Sequence, residues 1–256
     1  MEHERERGVN AYLKDGERLD DLQLSGLRLI QRPDAFRFGT DSVLLADFAA
    51  PKRTDRAVDL GCGTGAIAML MAAHCPGLHV DAVEIQPEIA DMARRSVELN
   101  QMQESMTVHE MDMRDAWKVL GAEKFSVVVC NPPYGRKGSV LLSENETKRI
   151  ARHEGDLTAE DVAQSASKLL KSGGKLCVVY PAPRAYEMMR AMDRHRIAPK
   201  RIRTVHGVAD RAPKFVLIDG VKDGGEQLHW LPPLTLRNAD GSFTAEWKRI
   251  YRMEEE

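Results

Sequence analysis

Residues 57–73 constrain this chain more than any other stretch. Ala57-Val58-Asp59-Leu60 reads as a short strand, and Gly61-Cys62-Gly63-Thr64-Gly65 follows at once. Residues 66–73 are apolar on nearly every face, as a buried helix requires. Strand, glycine loop and helix in this order open an α/β fold with a doubly wound, largely parallel sheet. The three glycines let the backbone turn tightly and come close to a ligand. The free N–H groups at the start of the helix suit an anionic group such as a carboxylate.

Acids at successive strand ends narrow the ligand. Residues 79–84 form the next strand, and Glu84 closes it 19 residues after Gly65. A carboxylate there can accept both hydroxyls of a ribose. The dinucleotide fingerprint is GxGxxG, with a helix aimed at a pyrophosphate. Here the spacing is GxGxG, and Asp59 stands two residues before Gly61. An acid in that place repels a pyrophosphate and suits an ammonium group. S-adenosylmethionine carries a ribose, an α-amino acid and a cationic sulfonium, so it meets each demand where NAD does not. Asp112, after a strand over 106–111, can accept the adenine amino group; it can also cap the short helix around Trp117.

A second motif makes the same demand. Residues 125–130 are an apolar, β-branched run that leads straight into Asn131-Pro132-Pro133-Tyr134. The prolines end strand pairing and hold Asn131 extended. An amide, backbone carbonyls and an aromatic ring are then presented at the carboxyl edge of the sheet, where open α/β sheets bind ligands. An exocyclic nitrogen conjugated to a ring or a carbonyl is a poor nucleophile, because its lone pair is delocalised. The Asn131 side-chain oxygen and the Pro132 carbonyl can accept its two N–H bonds and favour a more tetrahedral nitrogen. Tyr134 offers a flat face on which a planar amide or base can stack.

The rest of the chain supplies the frame. Residues 1–16 are polar and expected to fray, and 22–30 read as a hairpin. Thr40 or Asp41 is expected to cap a helix through 43–49. Pro87 opens a helix with Ile89, Ala93 and Val97 along its inner face. Residues 135–157 form a long polar loop rich in Lys and Arg. Thr158-Ala-Glu-Asp161 has the form of a capping box for a helix to Leu170, which Gly173-Gly174 would stop. Strands are expected at 175–180, 202–205, 215–218 and within 226–236, with a helix over 186–195.

Composition excludes several classes. Net charge is -2, so any nucleic-acid contact must come from local patches. The four cysteines show no zinc spacing and read as reduced thiols of a cytoplasmic protein; no metal site is expected. No apolar run approaches the roughly 20 residues needed to span a bilayer, and the charged N-terminus is not a secretory signal.

The glycine loop, Glu84, Asp112 and Asn131–Tyr134 resemble the motifs of class I methyltransferases that act on planar exocyclic nitrogens. Phe38-Gly39-Thr40-Asp41, Ile150-Ala-Arg-His-Glu154, Pro199-Lys-Arg-Ile202, Leu217-Ile-Asp-Gly-Val-Lys222 and Pro232-Pro233-Leu234 resemble the bacterial tRNA1(Val) (adenine-37-N6)-methyltransferase family over residues of about 20 to 250. The resemblance implies a Rossmann-like, seven-stranded mixed sheet. It divides the chain into an N-terminal hairpin-and-helix extension (1–50) and a catalytic domain (51–256). It implies N6-methylation of the adenosine 3′ of the anticodon, with S-adenosylmethionine as cofactor and tRNA as partner. Asn131, Pro132, Pro133 and Tyr134 would be catalytic. Phe38, Gly39, Thr40, Asp41, Asp59, Gly61, Cys62, Gly63, Gly65, Glu84, Ile85, Asp112, Met113 and Asn131 would line the cofactor pocket.

Two basic clusters are candidates for phosphate contacts: Lys148 and Arg149 with Arg152 and His153, and Arg194 and Arg196 with Lys200 and Arg201. Each can equally be a solvated charged face. Three rival functions stay open. A glutamine N5-methyltransferase acting on a release factor shares Asn-Pro-Pro-Tyr, but typically carries a helical domain where this chain has only about 55 residues. A DNA adenine methyltransferase would need a separate target-recognition domain. An RNA-binding module with a relic fold would have to explain an intact donor site. Monomer and homodimer are both open.

Overall fold

The computed structural model describes residues 11–24, 26–33, 39–133 and 157–253. In chain order the strands are β1 (Arg18–Asp21), β2 (Arg28–Gln31), β3 (Arg56–Leu60), β4 (His79–Glu84), β5 (Met106–Glu110), β6 (Phe125–Cys130), β7 (Leu170–Pro181), β8 (Ile197–Val208), β9 (Phe215–Lys222), β10 (His229–Trp230) and β11 (Leu234–Arg237). The helices are α1 (Thr40–Ala49), α2 (Ala66–His74), α3 (Pro87–Leu99), α4 (Ala116–Leu120), α5 (Ala159–Leu169), α6 (Ala185–Arg194) and α7 (Ala245–Ile250).

Strands that are apolar throughout are stable where helices cover both faces of their sheet. β3, β4 and β6 are buried along nearly their whole length, with acids only at Asp59, Asp81 and Glu84, and they pair in parallel with β3 in the middle. β5 extends the sheet beyond β4, and β7 extends it beyond β6, both in parallel. β9 lies antiparallel between β7 and β8. The seven strands run β5-β4-β3-β6-β7-β9-β8, the mixed seven-stranded sheet expected, and β10 and β11 add to the outer edge of β8. Chain order reverses between β3 and β6, so the crevice at their carboxyl ends is the natural ligand site.

The period of two along β6 shows how the layers form. Val127 and Val129 pack with α1, α2 and α7; Val128 and Cys130 pack with α4, α5 and α6. Fully burying one such side chain stabilises by roughly 1.5–3 kcal/mol.

Several expectations shift. Residues 11–17 are tied down: Arg95 of α3 donates to the Glu17 carboxylate and the Tyr12 carbonyl, and Lys14 pairs with Asp91. Ile89 is only half-buried, and the buried face of α3 is Ala90, Met92, Ala93, Ser96 and Val97. Gly39 takes the N-cap position of α1 with no side-chain cap, so neither Thr40 nor Asp41 fills that role. Gly173-Gly174 does not stop a helix. α5 ends at Leu169, β7 begins at the next residue, and the glycines sit in a bulge where the register against β6 shifts. Gly173 has φ +77°, and a Cβ on Gly174 would lie 2.9 Å from the carbonyl oxygens of Lys171 and Phe125.

The capping box forms in both directions. Thr158 Oγ1 accepts from the Asp161 amide at 3.2 Å, and Asp161 Oδ2 accepts from the Thr158 amide at 2.9 Å. Thr158→Ala is expected to destabilise the fold by about 1 kcal/mol, read as a lower urea midpoint at constant slope. An unchanged midpoint would contradict this account of how α5 starts.

Candidate active site at the carboxyl edge of the sheet

The glycine loop is folded onto the end of β4. The amides of Gly61 and Cys62 both donate to the Val83 carbonyl at 2.9 Å, and the Gly65 amide donates to the Cys62 carbonyl at 2.9 Å. Gly61, Gly63 and Gly65 all have positive φ, between +56° and +94°. A Cβ on Gly65 would lie 2.8 Å from Met106 Cε and 3.7 Å from Ala93 Cβ, so this glycine lets α2 close against its neighbours. A Cβ on Gly63 would meet nothing within 4 Å, which marks open space beside the loop.

Two buried acids lie under the loop. Glu84 Oε2 accepts from the Gly63 amide at 3.0 Å, and Oε1 accepts from the Gln86 amide at 2.9 Å. Burial raises its carboxyl pKa against the pull of these amides. Asp59 is fully buried, and neither of its oxygens has a hydrogen-bond partner among the described residues. Burial pushes its carboxyl up to about 7; the Ala68 amide, close by but short of hydrogen-bond geometry, works against the rise and the Glu84 carboxylate adds to it. A fully buried carboxylate without a hydrogen-bond partner among the described residues, at the strand end that feeds the glycine loop, is what an ammonium group would complete. The residues present therefore fit the amino-acid end of S-adenosylmethionine. The Cys62 thiol is buried, donates weakly to the Gly63 carbonyl at 3.4 Å, and has its pKa raised by burial and by both acids.

Asp112 lies beyond β5 in an open turn. Its Oδ1 accepts from the Arg114 amide at 2.9 Å, and the Arg114 guanidinium folds over both oxygens, which holds the carboxyl below its usual range. It is not the cap of α4, whose N-cap position is Asp115. Met113 is buried next to Gly61, and Ile85 presents an exposed apolar side chain just after Glu84.

Asn131 follows β6 at the neighbouring strand end. Its Nδ2 donates to Asp41 Oδ2 at 2.9 Å, which ties the loop to the first turn of α1. Pro132 is buried and Pro133 half-buried. Asp41 Oδ1 accepts from the Ser42 amide at 3.0 Å, and a Cβ on Gly39 would lie 2.8 Å from that same oxygen. A side chain at 39 would therefore push the Asp41 carboxylate out of this position.

Two residues near the site, Gln31 and Tyr251, carry no signal in the sequence. Gln31 of β2 donates to Thr64 in the glycine loop at 3.1 Å, so the hairpin braces the loop. Tyr251, just past α7, is hydrogen-bonded to the Thr40 hydroxyl and lies near Asp41; burial raises its phenol pKa. Tyr251 is held in turn by a ring stack through Trp247 to Phe243. Polar contacts between segments this distant in sequence leave no local pattern.

Phe38, Tyr134, Lys148, Arg149, Arg152 and His153 lie outside the described residues. The second basic cluster is not brought to the site. Ile197 pairs with Lys222, whereas Val205 and Pro181 both pair with Phe215, so Arg194 and Arg196 lie at the opposite end of β8 from the carboxyl edge. Its members are also engaged: Arg194 with Glu160, Arg196 with Asp223, Lys200 with the Gly225 carbonyl, and Arg201 with buried Asp219 and the Phe48 ring.

Residues 34–203 match the family described as methyltransferase small domain. The chain belongs to that family. It is a class I methyltransferase with S-adenosylmethionine as cofactor. Proteins named tRNA1(Val) (adenine(37)-N6)-methyltransferase from Yersinia pseudotuberculosis and Yersinia pestis are each 29% identical over 220 residues. The match covers 84% of this chain in both cases, and 84% and 86% of the two relatives. A crystal structure described as a predicted O-methyltransferase from Agrobacterium tumefaciens is 27% identical, with a TM-score of 0.69 over 83% of this chain and 96% of that one. A geranyl diphosphate C-methyltransferase from Streptomyces coelicolor, solved with S-adenosyl-L-homocysteine, shares the fold at 17% identity, with a TM-score of 0.51 over 71% of this chain and 78% of that one. Among the described residues no helix is long and apolar enough to cross a membrane.

Proposed function

We propose that this methyltransferase modifies the exocyclic N6 of an adenosine in tRNA, the adenosine at position 37 of tRNA1(Val), within the cytoplasm. The observation that carries the reading is the Asn131 amide, fixed at the end of β6 beside the glycine loop and followed by Pro132-Pro133. The 29% identity to relatives named for that reaction, over most of both chains, supports the choice of acceptor.

The roles follow from position. Asp59 offers its carboxylate to the ammonium of the cofactor, and Glu84 keeps lone pairs for the ribose hydroxyls while it holds the loop. Gly61, Cys62, Gly63 and Gly65 give backbone close enough to line the amino-acid end. Ile85 and Met113 flank the adenine, whose amino group Asp112 accepts by sharing its Arg114 bonds. Bound S-adenosylmethionine supplies an electrophilic methyl on a sulfonium. Asn131 Oδ1 and the Pro132 carbonyl orient the target amino group, and Tyr134 stacks against the base, worth roughly 1–3 kcal/mol. No strong base is needed before attack, because the methylated nitrogen is cationic and releases its proton readily. An adenine inside a structured loop must first be splayed out.

The phosphate contacts are assigned to the carboxyl edge. Arg211 and Lys214 are exposed in the β8–β9 turn, and no acid pairs with either among the described residues. The Lys214 carbonyl accepts from the Ala182 amide, so this turn adjoins the end of β7, which is the strand beside β6. Neighbouring strands are about 4.8 Å apart, which places the turn about 10 Å from the line of Asn131. Replacing both cations by Ala is expected to raise KM for tRNA about tenfold with kcat kept, and to flatten the salt dependence by about one to two. An unchanged KM would remove these residues from the interface.

The reading is tested with labelled S-adenosylmethionine and two acceptors in parallel: tRNA lacking the modification, and a release factor. Label in tRNA recovered as N6-methyladenosine supports it. Label in the protein alone moves the acceptor to a glutamine amide.

A further inference from the structure

We propose that Asp41 is the positioning residue for Asn131: its carboxylate fixes which way the reacting-site amide faces and strengthens that amide as an acceptor. This rests on the reading that Asn131 receives the target N–H, and it reassigns Asp41 from the wall of the cofactor pocket.

An asparagine amide can present either its nitrogen or its oxygen in one direction, and only the oxygen can accept from a target amino group. At Asn131 the choice is made by its neighbour. A carboxylate only accepts, so the nitrogen must face Asp41, as it does at 2.9 Å. The Asn131 oxygen is thereby turned to the other side of the amide. Without Asp41 the amide could rotate and present two donors to an amino group, which would repel it.

The carboxylate is itself held. It sits in the first turn of α1, where the helix dipole favours an acid. Ser42 donates to its other oxygen at 3.0 Å, and the absent side chain at Gly39 leaves room for it. The side chain is buried, and Tyr251 closes over the adjoining Thr40 hydroxyl. The loop that carries Asn131 is thus referenced to a helix and to the C-terminal aromatic stack, which suits a geometry that must hold within about 0.5 Å.

The charge has a second effect. A hydrogen bond from Nδ2 to an anion polarises the amide and draws electron density onto its oxygen. That oxygen then accepts more strongly from the target N–H. During transfer, positive charge passes from sulfonium to nitrogen, and a fixed anion one amide away favours that shift.

Three variants separate positioning from cofactor binding. Asp41→Ala removes both acceptor and charge and is expected to lower kcat about 100-fold, on the scale of a small misplacement at a reacting centre. Asp41→Asn keeps an acceptor oxygen without the charge and is expected to lose about tenfold. Asp41→Glu keeps the charge with a longer reach and should fall between them. In all three the donor Kd, measured by calorimetry, stays within about threefold. The second readout needs no substrate: the side-chain amide resonances of Asn131, assigned through Asn131→Gln, shift in Asp41→Ala and much less in Asp41→Asn. Donor affinity that falls in step with kcat would return Asp41 to the cofactor pocket. An unchanged kcat, or Asn131 resonances that do not move, would overturn the proposal. If Asp41→Ala fails to fold, Asp41→Asn decides by kcat at constant donor affinity: a loss of about tenfold supports the proposal and an unchanged kcat overturns it. Because the resonances report without an acceptor, a wrong choice of tRNA would leave this outcome legible.

Discussion

Asn131→Ala is expected to reduce kcat for methyl transfer by at least about 100-fold while donor affinity changes little. The mutation removes one of two acceptors aimed at the target amino group. By analogy with deleting one pre-aligned hydrogen-bonding group from an enzyme site, a loss of about 10²–10³ follows. It also leaves Asp41 one donor short, which costs about 1–2 kcal/mol of stability because Asp41 is buried. Single-turnover transfer from labelled donor, with calorimetry for donor binding, separates these effects. Asn131→Asp is the informative partner. It keeps acceptor oxygens but sets a second carboxylate against Asp41, so it should lose activity more steeply at high pH than Asn131→Ala. A variant that binds donor and transfers at the parental rate would remove Asn131 from the chemistry.

Asp59→Asn is expected to abolish measurable donor binding and at the same time to stabilise the apo protein at alkaline pH. Asp59 is fully buried without a hydrogen-bond partner among the described residues, and burial pushes its carboxyl from 3.8 up to about 7. The sign follows from proton counts. Between pH 4 and pH 7 the folded state holds a proton on Asp59 that the unfolded state has released, so stability falls as pH rises through that window. At 1.36 kcal/mol per unit the full cost is about 4 kcal/mol above pH 7. Replacing the carboxyl by a neutral amide of the same shape removes that slope. The net gain at pH 8 is about 1–3 kcal/mol, because the amide is also buried with few partners. Thermal melts of the parent should fall from pH 5 to pH 8 relative to Asp59→Asn, and saturating donor should lift the parent and not the variant. Donor affinity of the parent should tighten as pH rises through 7, as the ammonium gains its anion. Parallel melting curves would contradict this reading of Asp59.

Asp59 and Asn131 are legible in the amino-acid sequence because each sits at a strand end within a local pattern. One follows the order apolar strand, glycine loop, buried helix; the other stands between an apolar strand and two prolines. Period and punctuation are local, and so is the switch point they create. The features that stay hidden in the sequence are non-local or ambiguous in one dimension. Asp41 meets Asn131 across 90 residues, and Gln31 meets Thr64 across 33. Gly173-Gly174 carries the same signal for a helix stop and a strand bulge; the pairing of Phe125 with Leu170 settles it as a bulge. Arg194, Arg196, Lys200 and Arg201 are a cluster in sequence, but only the register of β8 tells which edge of the sheet they occupy.

The central claim is tested most directly by one measurement: transfer of labelled methyl to an unmodified tRNA1(Val) transcript, followed by nucleoside analysis and mapping of the site. The account predicts N6-methyladenosine at position 37, absent when that adenosine is replaced by guanosine and lost with Asn131→Ala. Label at another nucleotide, or transfer that survives Asn131→Ala, would contradict it.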